Sequence, residues 1–154
     1  MFFVLRFTEL QAGSYYTILC RQKANSGTQY SLYVDNAGSL KLLYGNITLN
    51  GGNVQTNTMY VIGITFKRGT NAARFTINNY SFTTGSNTAS PDPVSRVTIL
   101  IGSTSVFSTG YPADNDPSNA FKGDIFRIEL TYNQMSDLLF SKHMNSLISK
   151  YEFS

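Results

Sequence analysis

The chain has 154 residues, enough for one domain with a sizeable core. Its content of 42% hydrophobic and 14% aromatic residues excludes a disordered polymer. Charged residues make up 14% and the net charge is +3, so the clustered basic footprint of a nucleic-acid binder is missing; the densest cationic spot is Lys67-Arg68.

The apolar residues alternate from the start. Phe3, Leu5 and Phe7 share one face of a first strand. The apolar run there, Phe2 to Leu5, is far shorter than the ~20 residues of a membrane helix. It also lacks the zones of a signal peptide, and with a lone Cys20 the expectation is a chain made reduced, or one that holds together without needing oxidation. Tyr16, Ile18 and Cys20 share one face of a second strand, which reads Cys20 as a buried structural thiol; a lone cysteine excludes an internal disulfide. Tyr30, Leu32 and Val34 run into Asp35-Asn36-Ala37-Gly38, a hairpin turn, and Leu40, Leu42 and Tyr44 return from it. A short strand around Ile47 and Leu49 ends at Asn50-Gly51-Gly52-Asn53, read as a second turn.

Met59 to Phe66 is a longer strand, with Tyr60, Ile62, Ile64 and Phe66 on one side. Phe75 and Ile77 alternate up to a tight turn at Asn78-Asn79, which leads into Tyr80-Ser81-Phe82. Val97, Ile99 and Ile101 form the next strand, and residues 102–120 the longest irregular stretch. Phe121 to Tyr132 is the last strand, with Phe126, Ile128 and Leu130 on one face. The period then changes to helical over residues 136–151, where Leu139, Phe140, His143, Met144, Leu147, Ile148 and Tyr151 recur. Ser136 is its N-cap and Asp137 suits the helix dipole. About ten short strands with Gly/Asn turns, and no alternating βα units, predict an all-β fold: a two-sheet antiparallel sandwich or jelly roll with one C-terminal α-helix, in a single domain over residues 1–154.

Three stretches carry a resemblance. Phe121-Lys122-Gly123-Asp124-Ile125-Phe126-Arg127-Ile128-Glu129-Leu130, followed by Tyr132-Asn133 and Met135-Ser136-Asp137, resembles the end of a laminin-G-like domain of the concanavalin A-like lectin/glucanase superfamily. Arg74-Phe75-Thr76-Ile77-Asn78-Asn79 and Ile99-Leu100-Ile101-Gly102 are similar to strands of that family. Met59 stands where the family often has Trp, and the chain is short for the fold, so the expectation is an edge strand that is missing or supplied by a partner. The resemblance implies a concanavalin A-like sandwich over roughly residues 3–150 and no particular activity.

Candidate sites are few. Glycoside hydrolysis needs two neighbouring carboxylates, and Glu9, Glu129 and Glu152 are isolated, while Asp124 and Glu129, five apart, fall on opposite faces of a strand. His143 reads as a packed or half-exposed helix residue. Asp114-Asn115-Asp116-Pro117-Ser118-Asn119 gathers hard oxygen ligands, so Asp114, Asp116 and Asn119 are candidate Ca²⁺ ligands; the same residues are also ordinary turn chemistry. Glycan binding needs an aromatic platform beside Asp or Asn: Tyr111 with Asp114 and Asn115, Tyr44 with Asn46, or Tyr80 with Asn79.

The leading functional expectation is a non-enzymatic virion surface protein of a phage, a capsid decoration or a tail or fibre component. It would be assembled in the host cytoplasm, dock on other virion proteins or on itself as a homo-oligomer, and present loops to host glycans. The alternative is a free-standing carbohydrate-binding module, and the third reading is a small glycan hydrolase or lyase.

Overall fold

The computed structural model describes residues 1–23, 27–45, 47–67, 72–78, 83–86, 97–102, 120–131 and 135–151. These form ten strands and one helix: β1 (Phe2–Phe7), β2 (Tyr16–Lys23), β3 (Gly27–Val34), β4 (Ser39–Tyr44), β5 (Ile47–Asn53), β6 (Met59–Lys67), β7 (Ala72–Ile77), β8 (Thr83–Ser86), β9 (Val97–Ile101), β10 (Gly123–Glu129) and α1 (Asp137–Tyr151). One sheet has the order β10-β1-β6-β7-β8 and the other β5-β4-β3-β2-β9, each of five strands. Every neighbouring pair is antiparallel. This is the expected β-sandwich with a C-terminal helix.

The core between the sheets is built from the alternating positions. Phe3, Leu5 and Phe7 of β1 meet Ile62 and Ile64 of β6, and Leu32, Leu40 and Leu42 close it from the other sheet. Each fully buried side chain of this size contributes roughly 1.5–3 kcal/mol. The intervening residues of β1 are buried too. Phe2, Val4 and Val61 form a second cluster with Phe140, Met144, Leu147 and Ile148 of α1, so the helix covers the outer face of the β1/β6 sheet. β1 is thus apolar on both faces, which is why it reads as a run rather than a clean alternation.

The helix begins as the sequence predicts: Ser136 Oγ accepts the Leu139 N–H at 3.3 Å. Phe140 sits against Phe2 with ring centroids 5.0 Å apart. Beneath it lies Gly63 of β6, where a Cβ would collide with the Phe140 ring and stand 2.8 Å from Met144 Sδ. Close approach of helix to strand, rather than a turn, explains this glycine.

Bulges account for the departures from regular alternation. The β1–β10 register shifts between Val4 and Leu5, so Val4 faces Arg127 while Leu5 faces Ile125. Phe126 falls in the irregularity and is 46% exposed, and Leu130 is 49% exposed. The expected apolar face of Phe126, Ile128 and Leu130 is therefore not formed; Ile125 and Ile128 pack on the core instead. Asn50-Gly51-Gly52-Asn53 is likewise not a turn. It continues β5, with a register shift opposite Leu40/Lys41. Gly51 is needed because a Cβ there would stand 2.5 Å from both Ile77 Cδ1 and Phe75 Cε1. Asn78 does leave the strand with positive φ (47°). Its amide accepts from Val61 N at 2.5 Å and donates to Met59 O at 3.0 Å.

Candidate ligand pocket at the turn end of the sandwich

Three segments meet at one end of the sandwich: the β1–β2 connection, the β3–β4 turn and the start of the β5–β6 link. The turn is set by its own chemistry. Asp35 Oδ1 accepts the N–H groups of Ala37 (3.0 Å) and Ser39 (2.9 Å). Gly38 supplies the positive φ (79°), and Asp35 N donates to Ser39 O at 2.9 Å. The β1–β2 connection closes on a different device. Gln11 N donates to the Tyr16 hydroxyl at 2.6 Å, and Gly13, with φ 84°, donates to Asn36 O at 3.1 Å. Val54 N donates to Gly38 O at 3.0 Å. Backbone bonds therefore tie the turn to both of its neighbours.

Between them is a pocket of about 310 Å³. Leu10, Tyr16, Val34 and Val54 give it an apolar floor; Gln11, Ala12, Asn36 and Ala37 stand at its exposed rim. Asp35 is the one carboxylate in the lining, its side chain 19% exposed, with Lys41 Nζ 3.5 Å from Oδ2. An apolar concavity with a few converging polar groups is the form small-molecule sites take. The same tyrosine device recurs at the start of β6, where Gln55 N donates to the Tyr60 hydroxyl at 2.7 Å.

The sequence named other residues. Tyr44 is a core residue: it is 5% exposed and stacks on Phe66 with centroids 4.8 Å apart. It shares the inward parity of Leu40 and Leu42, so its ring is no platform for a sugar, and burial pushes its hydroxyl pKa up. Asn46, Asn79, Tyr80 and Tyr111 lie outside the described residues, as do Asp114, Asn115, Asp116 and Asn119 with their glycan and calcium readings. Among the described residues no group of three or more His, Cys, Asp or Glu side chains is placed to hold a metal. No described helix is long and apolar enough to cross a membrane. Cys20 is a buried thiol, as expected.

The carboxylates of β10 are a further correction. Asp124 lies opposite Arg6 and Glu129 opposite Phe2, so the bulge brings both to the outer face. Each has a partner there. Asp124 pairs with Arg6 at 2.6 Å. Glu129 pairs with Arg127 and with His143 Nε2, the latter at 2.5 Å. His143 also sits edge-on to Phe2 with centroids 4.6 Å apart. Burial pushes the Glu129 carboxyl up, but hydrogen bonds from His143 and Arg127 outweigh it and hold the group below its ordinary pKa.

No family model and no curated protein matches the chain. Solved structures do match. The CBM40 carbohydrate-binding module of the Ruminococcus gnavus IT-sialidase, bound to alpha2,3 sialyllactose, has a TM-score of 0.57. It is 14% identical, over 93% of this chain and 81% of that one. The likeness is one of fold: both are β-sandwiches.

Proposed function

We propose that the chain is a non-catalytic glycan-binding module. The observation that carries this reading is the likeness to a carbohydrate-binding module over 93% of the chain, joined to a preformed pocket of small-molecule size. The likeness favours the carbohydrate-binding alternative over the virion-surface role, which has no counterpart among the features described. The hydrolase reading needs two carboxylates about 5–9.5 Å apart. Asp124 and Glu129 face partners four residues apart on β1, a span of ~14 Å at ~3.4 Å per residue, and each is held in an ion pair.

A glycan array probed with the wild-type chain and with Ala12→Trp tests the proposal. Ala12 is exposed at the pocket rim, so the indole fills the mouth without entering the core. Saturable binding that Ala12→Trp abolishes, with the melting temperature unchanged, is the expected result. Silence of the wild type across the array removes the glycan-binding reading.

A further inference from the structure

Resting on that reading, we infer that the pocket accepts a single neutral sugar ring and rejects acidic sugars, with Asp35 as the residue that discriminates. Size is the first argument. A volume of about 310 Å³ lies at the lower end of the roughly 300–1,000 Å³ of small-molecule sites, room for one ring rather than a length of chain. The backbone bond from Gly13 N to Asn36 O joins the β1–β2 connection to the β3–β4 turn and limits the pocket on that side.

The lining chemistry is the second argument. Leu10, Val34 and Val54 offer a C–H surface for the apolar face of a ring. The amides of Gln11 and Asn36 stand exposed at the rim, each with donors and an acceptor, which is what vicinal hydroxyl groups require.

Charge is the third. Asp35 Oδ1 is engaged by the N–H groups of Ala37 and Ser39, which fix the carboxylate's orientation. Oδ2 has Lys41 Nζ at 3.5 Å, beyond a good hydrogen bond, so it keeps acceptor capacity for a sugar hydroxyl. Lys41 is not part of the lining, and among the described residues no cation is. A sialic or uronic acid carboxylate placed here meets the Asp35 charge, which Lys41, outside the lining, only partly offsets. Rejection by a like charge is an ordinary route to specificity.

The test is an array that carries the same glycan cores with neutral ends and with acid-capped ends. Wild type is expected to bind neutral members and to ignore their acid-capped counterparts. Asp35→Asn keeps a carbonyl oxygen for the turn and removes the charge; its affinity for acid-capped members is expected to rise about tenfold or more. Asn36→Lys, at an exposed turn position, supplies a cation at the mouth and shifts preference the same way, even where Asp35→Asn fails to fold. Wild-type preference for acid-capped members overturns the inference while glycan binding stands, and so does a neutral-to-acidic ratio that neither variant moves. No binding to either set overturns the glycan reading itself.

Discussion

A methyl group at Gly63 tests the packing of α1 on the sheet. In Gly63→Ala the new Cβ collides with the Phe140 ring and stands 2.8 Å from Met144 Sδ. Met144 is unbranched and yields easily. Phe140 does not, because it is 2% exposed and boxed by the Phe2 ring at 5.0 Å. The helix must therefore lift or Phe140 must leave its rotamer, and overpacking of this kind costs about 1–3 kcal/mol. For a chain of this size 1 kcal/mol is worth about 2–4 °C, so the melting temperature should fall by about 2–12 °C in a thermal melt followed by circular dichroism. Phe140→Leu shortens the obstructing side chain, so the double variant should be more stable than the sum of its parts predicts. A Gly63→Ala melting temperature equal to that of wild type, or strict additivity in the double variant, would refute the argument that helix and strand are in contact at this glycine. The pocket lies on other elements, so its ligand affinity should not change.

Tyr16→Phe removes the acceptor of the Gln11 N–H and should cost about 1 kcal/mol, read as a loss of about 2–4 °C in melting temperature. Ligand affinity should weaken in the same variant because the pocket floor and rim are joined by that bond. Tyr60→Phe breaks the matching bond to Gln55 and should cost a similar amount with affinity intact; equal effects of both on binding would argue against the pocket. For Glu129 the sign follows from its lowered pKa. A carboxyl whose pKa is depressed in the folded state stabilises the fold above its unfolded pKa of about 4.3, and that contribution is lost as pH falls through the folded value. The melting-temperature gap between wild type and Glu129→Gln should thus be full near pH 6 and shrink on acidification below about pH 4; a gap independent of pH would contradict the ion-paired geometry.

Where alternation is regular, the sequence is a faithful guide: Phe3, Leu5, Phe7, Tyr60, Ile62 and Ile64 point inward as their spacing says. The same parity places Tyr44 inside with Leu40 and Leu42, a signal carried by the spacing itself and outweighed by the polar turn beside it. Misreadings gather where a strand gains a residue. A bulge leaves no local signature in Asp124 to Glu129, yet it reverses which residues share a face, exposing Phe126 and uniting Asp124 with Glu129. Asn50-Gly51-Gly52-Asn53 has turn composition, but Gly51 answers to the Phe75 and Ile77 side chains across the core, which no local window contains. The pocket was illegible for the same reason. Asp35-Asn36-Ala37-Gly38 is plain as a turn; that Gly13 and Val54 bind its backbone is a long-range fact.

Those long-range bonds also bear on how such a pocket would work. Loops usually lose freedom when a ligand orders them, and that loss subtracts from affinity. Here the turn carbonyls of Asn36 and Gly38 already accept from Gly13 and Val54, and Asp35 already holds its own turn together. The groups that would face a sugar are thus held by the hydrogen bonds that hold the fold. Ordering is completed during folding, so a ligand of modest size need contribute little to it. The same arrangement explains why Asp35, nominally a turn former, is the residue on which selectivity would turn: the two N–H groups that fix its carboxylate also fix the direction of its charge.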